Sequence, residues 1–295
     1  MQKVKSYIKL IRVDQWIKNM FIFAPILFSL SFNNYDAIYN AILAFIGFSF
    51  IASSIYVIND WCDIEADKLH PKKKFRPLAS GAVNRKEALI LLIFLVFAGA
   101  SVFLFILDNY KAAIVVLCYF ILNLAYSLKL KQYAIIDITI VALCYVIRVF
   151  VGGLVTGIML THWLIIMTFL GALLIVLGKR KHDVAIYEET GRQMRKSITG
   201  YNSDFLTAII MIVTAVTIVA YIMYTISPQV VERNGEYLYL TSLFVGVGLL
   251  RYLQVLFLDK GGDNPTKLFL KDKFLYISFL LWLVSFILIS YLKVF

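Results

Sequence analysis

The sequence predicts an all-α integral membrane protein with nine transmembrane helices. Hydrophobic residues make up 61% of the 295-residue chain and its mean hydropathy is +0.82, whereas about half of a soluble domain is apolar. Apolar windows of about 17 to 25 residues, the length of a membrane-spanning helix, recur along the whole chain. They predict spans near residues 17–32, 37–58, 88–107, 112–128, 134–158, 163–177, 205–226, 238–258 and 274–292.

The element before the first span is predicted to lie on the membrane. Val4, Tyr7, Ile8 and Ile11 recur at helical spacing within a charged stretch. Such a pattern indicates an amphipathic helix in the cytoplasmic interface, which we place over 1–16. The stretch has no apolar core of its own, so no cleavable signal sequence is expected.

The nine-helix bundle is predicted over 17–292, and residues 1–295 are expected to form a single membrane domain. The first and sixth spans are short, and Pro25 interrupts the first. Tilted, kinked or half-buried helices are therefore expected at both places.

The basic residues predict the orientation. Twenty-four of the 29 Lys and Arg residues stand before the first span or at its start, or after the second, fourth, sixth and eighth. By the positive-inside rule the N-terminus is cytoplasmic and the C-terminus extracytoplasmic, as in a multi-pass protein of the inner (cytoplasmic) membrane. This bias accounts for the net charge of +11, so nucleic acid is not an expected partner.

Carboxylates follow the second span directly, at Asp60, Asp63 and Asp67. If the helix continues, Asn59, Asp63 and Asp67 share one face, and Asp60 flanks it. Ionisable groups at membrane depth are costly and tend to serve a function. Hard oxygen ligands on a partly hydrated face suit Mg²⁺, which is often shared with the phosphates of a substrate.

Basic groups that could hold those phosphates lie in three cytoplasmic segments. Lys73 and Arg76 follow the carboxylates, and Lys131 stands with Tyr126 in the link before Asp137. Six basic residues, including Lys179 and Arg180, stand against three acidic ones after the sixth span, which suits an anion better than a second metal. Arg148 lies deep in the fifth span, where a structural ion pair and a functional role are equally open.

The pattern Asn59-Asp60-x-x-Asp63-x-x-x-Asp67 resembles the first aspartate-rich motif of the UbiA-type intramembrane prenyltransferase superfamily. The resemblance implies a UbiA-like helical bundle with a cytoplasmic active site. Other segments are similar to one branch, the polyprenyl (decaprenyl)-phosphate phosphoribosyltransferases. These segments are Gln15-Trp16-x-Lys18-Asn19, His70-Pro71-x-Lys73-x-Phe75-Arg76-Pro77, and Gly178-Lys179-Arg180 with Gly191, Arg195-Lys196-Ser197 and Tyr201.

Membership of that branch implies transfer of 5-phosphoribose from phosphoribosyl pyrophosphate to a polyprenyl phosphate, with Mg²⁺ as cofactor and release of pyrophosphate. The alternative is an aromatic polyprenyltransferase that uses a polyprenyl diphosphate, such as a 4-hydroxybenzoate polyprenyltransferase. Those enzymes carry a second aspartate-rich motif after the sixth span, whereas here Asp183 is not followed by a DxxxD pattern. A transporter or non-catalytic lipid-binding protein is the third class considered.

The resemblance and the side-chain chemistry together imply two sets of site residues. The catalytic set is Asp60, Asp63, Asp67, Tyr126 and Lys131, of which the three aspartates are the metal ligands. The substrate-binding set is Lys18, Asn59, Lys73, Arg76, Arg148, Lys179 and Arg180. An oxygen of the lipid phosphate is implied to attack ribose C1, so that no protein nucleophile is needed.

Overall fold

A computed structural model describes residues 2–69, 73–191, 196–258 and 272–292, and every regular element in these ranges is helical. Eight of its helices are long and apolar enough to cross a membrane. They confirm the second to ninth predicted spans. These helices are Tyr35–Cys62, Arg85–Ile106, Tyr110–Leu128, Ile136–Thr156, His162–Thr190, Ser203–Thr225, Glu236–Leu258 and Lys273–Tyr291.

The α-helices are numbered here in chain order. They are α1 (Gln2–Ile11), α2 (Ala24–Ser29), α3 (Tyr35–Cys62), α4 (Ile64–Lys68), α5 (Arg85–Ser101), α6 (Tyr110–Leu128), α7 (Ile136–Thr156), α8 (His162–Thr190), α9 (Ser203–Thr225), α10 (Pro228–Asn234), α11 (Ser242–Leu258) and α12 (Lys273–Leu292). A π-helix, Val102–Ile106, extends α5. The 3₁₀-helices are Val13–Phe23, Lys73–Phe75, Leu130–Gln132, Lys196–Gly200 and Glu236–Thr241.

The first predicted span, 17–32, is not one long α-helix. The 3₁₀-helix Val13–Phe23 leads into the short α2, which ends at Leu30 with φ of +55°. Pro25 stands in the first turn of α2, where a missing N–H does no harm, although it would break a continuous helix. The interruption expected at Pro25 is therefore confirmed.

Two predicted boundaries were wrong. The N-terminal helix was predicted over 1–16, but α1 ends at Ile11 because Arg12 adopts the left-handed conformation, with φ of +52°. The sixth span was predicted to end at residue 177, but α8 continues to Thr190 and ends at Gly191, with φ of +64°. Buried residues of this extension, such as Arg180, hold it in place, which a hydropathy pattern does not reveal.

The chain forms two compact units, the first from residues 1–130 with 144–160 and the second from 131–143 with 161–295. In the first unit, α3 packs closely against α5: a Cβ at Gly99 would lie 2.8 Å from the carbonyl oxygen of Gly47. A Cβ at Gly152 would likewise collide with the carbonyl oxygen of Ile22. The second unit has its own apolar core around Leu177. The prediction of a single domain stays a prediction.

Candidate active site

The carboxylates stand at a break between two helices of the first unit. Helix α3 ends at Cys62, and α4 begins at Ile64. The backbone nevertheless stays nearly helical, since the N–H of Asp63 donates to the carbonyl of Asn59 at 3.1 Å and the N–H of Asp67 to that of Asp63 at 2.8 Å. Asp60 and Asp67 therefore lie two turns apart, and both are buried, with 2% exposure.

Asp60 and Asp67 converge on the side chain of Arg76. Nη1 of Arg76 lies 2.7 Å from Oδ2 of Asp67 and 3.2 Å from Oδ1 of Asp60. The sequence predicted a face of Asn59, Asp63 and Asp67, with Asp60 beside it. In the structure Asp60 belongs to the converging pair, whereas Asn59 and Asp63 are half-buried.

This pair suits a cation that prefers oxygen. Two buried carboxylates already share one positively charged nitrogen, and carboxylate oxygens are the protein ligands that Mg²⁺ prefers. Among the described residues, no group of three His, Cys, Asp or Glu side chains is close enough to hold a metal ion. Mg²⁺ usually keeps several waters and needs only one or two protein carboxylates besides substrate phosphates. The pair therefore fits such an ion, whereas the use of all three aspartates stays a prediction.

Arg12 is a member of this cluster that the sequence reasoning missed. Its Nη2 donates to Oδ1 of Asp60 at 2.6 Å, and its guanidinium lies 4.8 Å from the centre of the Tyr56 ring. The preceding carbonyl, that of Ile11, accepts a 2.9 Å hydrogen bond from Oγ of Ser53. Only the charge count marked Arg12 in the sequence, because its carboxylate partner is far away along the chain.

Four other predicted residues of the first unit are half-buried. Lys18 lies on the 3₁₀-helix Val13–Phe23, and Lys73 begins the short 3₁₀-helix before Arg76. Tyr126 stands in the last turns of α6, and Asn59 in the last turn of α3. His70 and Pro71 of the quoted motif, and Arg195 of the later one, lie outside the described residues.

Arg148 on α7 is buried, and its hydrogen-bond partners are neutral. It donates to Oδ1 of Asn19 at 2.8 Å, to the hydroxyl of Tyr119 at 3.0 Å, and to the carbonyl of Cys144. Its guanidinium also lies 5.1 Å from the ring centre of Phe48. Among the described residues no carboxylate pairs with it, so the ion pair considered from the sequence is not found in this part of the chain. Cation–π contacts and neutral acceptors compensate the charge instead.

The second unit has a separate buried network around Asp137. Nε of Arg180 lies 2.7 Å from Oδ2 of Asp137, and Nη1 lies 2.8 Å from Oδ2 of Asp183. The hydroxyl of Tyr201 donates to Oδ1 of Asp137 at 2.6 Å, and Oγ of Ser197 lies 3.2 Å from its Oδ2. The pKa of the Tyr201 hydroxyl is raised, mainly by burial and to a smaller extent by its hydrogen bond to Asp137.

Arg180, at 2% exposure, therefore pairs with two carboxylates of its own unit. Its predicted contact with a substrate phosphate stays a prediction. Two further residues of the predicted sets lie in this unit: Lys179 is exposed on α8, and Lys131 is half-buried in the 3₁₀-helix Leu130–Gln132.

Comparison with known proteins agrees with this architecture. The model of the UbiA prenyltransferase family matches residues 20–290. A protein of Mycolicibacterium smegmatis named decaprenyl-phosphate phosphoribosyltransferase is 32% identical, and the alignment covers 95% of this chain and 91% of that protein. One of the same name from Corynebacterium glutamicum is 29% identical over 97% of this chain and 86% of its own.

A solved structure shows the same fold. It is that of a UbiA homologue from Archaeoglobus fulgidus bound to DMAPP and Mg²⁺, with a TM-score of 0.69, 17% identity, and coverage of 97% of this chain and 99% of that one. The chain therefore belongs to the UbiA prenyltransferase family.

Proposed function

We propose that this protein transfers 5-phosphoribose from phosphoribosyl pyrophosphate to a polyprenyl phosphate and releases pyrophosphate. The observation that carries the proposal is the cluster in which Asp60 and Asp67 converge on Arg76 beside Arg12. It combines ligands for a divalent cation with groups that recognise phosphate. The full-length relatives named decaprenyl-phosphate phosphoribosyltransferase support the same reaction.

The carboxylates are proposed to hold Mg²⁺, with Asp60 and Asp67 as the central ligands and Asp63 as a third. The ion would neutralise the charge that develops on the departing pyrophosphate. The A. fulgidus homologue is bound to Mg²⁺, and we propose the same ion for this chain. Asn59 and Tyr126 are proposed to orient substrate oxygens by hydrogen bonds.

The remaining basic residues are assigned to the anionic groups of the two substrates. Lys73, Arg76 and Lys131 are proposed to bind the pyrophosphate or the ribose 5-phosphate, and Lys179 and Arg180 either phosphate. Lys18 and Arg148 complete the predicted substrate-binding set. Arg148 also holds Asn19 and Tyr119 in place by hydrogen bonds.

The bond changes are simple. An oxygen of the lipid phosphate forms a bond to ribose C1, while the bond from C1 to the pyrophosphate oxygen breaks. The acceptor is already an anion, so neither a protein nucleophile nor a strong general base is required.

The aromatic-prenyltransferase alternative is less favoured. It would need a second pair of carboxylates for a second metal ion after the sixth span. There Asp183 is bonded to Arg180, and residues 184–187 contain no acid.

We further propose the topology that this reaction requires. The segment from Val13 to Ser29 would enter the membrane as the ninth element, with α1 at the cytoplasmic surface. The exposure of Val4 and Ile8 on α1, 61% and 49%, is consistent with a helix whose apolar face meets lipid. The protein would then lie in the inner membrane with its carboxylates facing the cytoplasm, where phosphoribosyl pyrophosphate is available.

Mass spectrometry tests the reaction. Purified protein is incubated with Mg²⁺, phosphoribosyl pyrophosphate and a polyprenyl phosphate, and the lipid extract is examined for a lipid-linked phosphoribose. Its formation, abolished by EDTA, is the expected result. Turnover of a polyprenyl diphosphate with an aromatic acceptor, and none with the phosphoribosyl donor, would instead establish the alternative.

A further inference from the structure

The guanidinium of Arg76 occupies the point at which Asp60 and Asp67 converge. One nitrogen, Nη1, lies within 3.2 Å of an oxygen of each carboxylate. Like charges a few ångströms apart in a buried site repel strongly. A cation that binds both carboxylates therefore cannot share this point with Arg76.

Arg12 is held in a different way. Its hydrogen bond goes to Oδ1 of Asp60 at 2.6 Å, and among the described residues Asp60 is its only carboxylate partner. The ring of Tyr56 lies under its guanidinium, and the adjacent carbonyl of Ile11 is bonded to Ser53. These contacts involve Oδ1 of Asp60 and neither oxygen of Asp67, so a cation that binds Asp67 and Oδ2 of Asp60 leaves the bond of Arg12 in place.

Charge balance distinguishes the two arginines further. Arg12 and Arg76 together neutralise Asp60 and Asp67. If a divalent cation joined them, two positive charges would be in surplus, or one if Asp63 also binds the cation, and a buried surplus is costly. Departure of Arg76 lowers either surplus by one charge, and a diphosphate can neutralise what remains.

We propose that Arg76 and the divalent cation exchange at this point. The cation enters between Asp60 and Asp67 while Arg12 stays on Asp60, and the released Arg76 turns to the diphosphate of the donor. The inference rests on the proposed role of the two carboxylates as a metal site. Arg76 would bind the carboxylate pair first and the donor diphosphate afterwards. The apparent metal affinity would then depend on the fraction of molecules in which Arg76 has left the two carboxylates.

Chemical labelling of the wild-type protein tests the exchange without any substitution. The side chains of Arg76 and Arg12 are 26% and 27% exposed, so Arg12 is an internal control. Protein in lipid nanodiscs is treated with phenylglyoxal, with and without Mg²⁺, and the modified peptides are quantified by mass spectrometry. Mg²⁺ should raise the labelling rate of Arg76 by about threefold or more and leave that of Arg12 unchanged. An unchanged or lowered rate at Arg76 overturns the exchange.

Metal affinity provides the second readout, measured by electron paramagnetic resonance of Mn²⁺ without donor. Arg76→Gln should bind Mn²⁺ about tenfold more tightly than the wild type, because the competitor is gone. Arg12→Gln removes the same charge from the same Asp60 oxygen, and Arg85→Gln removes one from a side chain with 66% exposure. Both should change the affinity less than Arg76→Gln does.

The outcomes separate the exchange from the metal site itself. An equal gain in Mn²⁺ affinity in Arg12→Gln and Arg76→Gln would show that the affinity depends only on the loss of one positive charge. The exchange would then be wrong, although the metal site would stand. If the wild type binds no more Mn²⁺ than Asp60→Asn does, the metal site fails, and the exchange fails with it.

Discussion

Nε of Arg148 lies 2.8 Å from Oδ1 of Asn19, so a buried cation on α7 is joined to the 3₁₀-helix that replaces the first predicted span. The amide nitrogen of the same Asn19 donates to Oγ of Ser49 on α3 at 2.9 Å. Nearby, the indole nitrogen of Trp16 lies 3.0 Å from Oγ of Ser53. The segment from Arg12 to Asn19 is thus fixed to α3 and α7 by polar contacts.

The first prediction concerns this network. Asn19→Ala removes an acceptor from a charged donor, and such bonds contribute about 1.5–3 kcal/mol. Asn40→Ala is the matched control, because Asn40 donates only to the neutral carbonyl of Val155, at 3.2 Å. Thermal unfolding in detergent should show a larger loss for Asn19→Ala than for Asn40→Ala. Equal losses of stability in the two variants would mean that the hydrogen bond from Arg148 to Asn19 contributes no more than a bond between neutral groups.

The second prediction concerns the carboxylate pair. Asp60→Asn and Asp67→Asn keep the side-chain volume but remove a charged ligand, so kcat should fall by about 100-fold or more. Glu65→Gln is the control, since Glu65 is acidic, close in sequence and 74% exposed. Formation of the lipid product is measured on variants that retain the elution profile of the wild type. Near-parental activity in both variants would remove the metal-site proposal.

Much of this arrangement could be predicted from the sequence, because its causes are local. Apolar windows located eight long helices, and the acidic run after the second span located the carboxylates. Pro25 marked the interruption of the first span. Each of these signals lies within a few residues of the feature that it predicts.

The contacts that build the cluster could not be predicted in the same way. Arg12 reaches Asp60 across 48 positions of sequence, and Arg148 reaches Asn19 across 129. No periodicity encodes such pairs. The pairing of Asp60 with Asp67 is different, because residues seven apart lie on nearly the same face of a helix and the backbone stays nearly helical through Asp63. Helical spacing therefore already favoured Asp60 over Asn59 as the partner of Asp67.

The third prediction concerns the network of the second unit. Asp137→Asn replaces the buried carboxylate that binds Arg180, Tyr201 and Ser197 by a neutral amide. Because each hydrogen bond to a charged group contributes about 1.5–3 kcal/mol, the loss should be about 3 kcal/mol or more. Tyr201→Phe removes one hydrogen bond to the same carboxylate and should cost less, about 1.5–3 kcal/mol. Both values are obtained from reversible unfolding in mixed micelles. A greater loss in Tyr201→Phe than in Asp137→Asn would contradict the central position given to the carboxylate.

The fourth prediction concerns donor recognition. Arg85→Lys, at an exposed position near Glu65, should leave the kinetics unchanged. Arg76→Lys should raise the KM for phosphoribosyl pyrophosphate or lower kcat, because an ammonium group cannot reproduce the planar fork of a guanidinium. The KM for the lipid should change less. If Arg76→Lys keeps the KM for the donor but raises that for the lipid, Arg76 binds the acceptor phosphate and not the donor.

The last prediction concerns orientation and uses two exposed glutamates. They are Glu232 on α10 and Glu189 near the end of α8. Each is changed to cysteine in a background that lacks the three native cysteines, and intact cells are treated with an impermeant maleimide. Glu232→Cys should react from outside, and Glu189→Cys only after permeabilisation, because the proposed topology puts the basic segments on the cytoplasmic side. The reverse pattern would place the carboxylate pair in the other leaflet, out of reach of a cytosolic phosphoribosyl donor, and the proposed reaction would then lack its substrate.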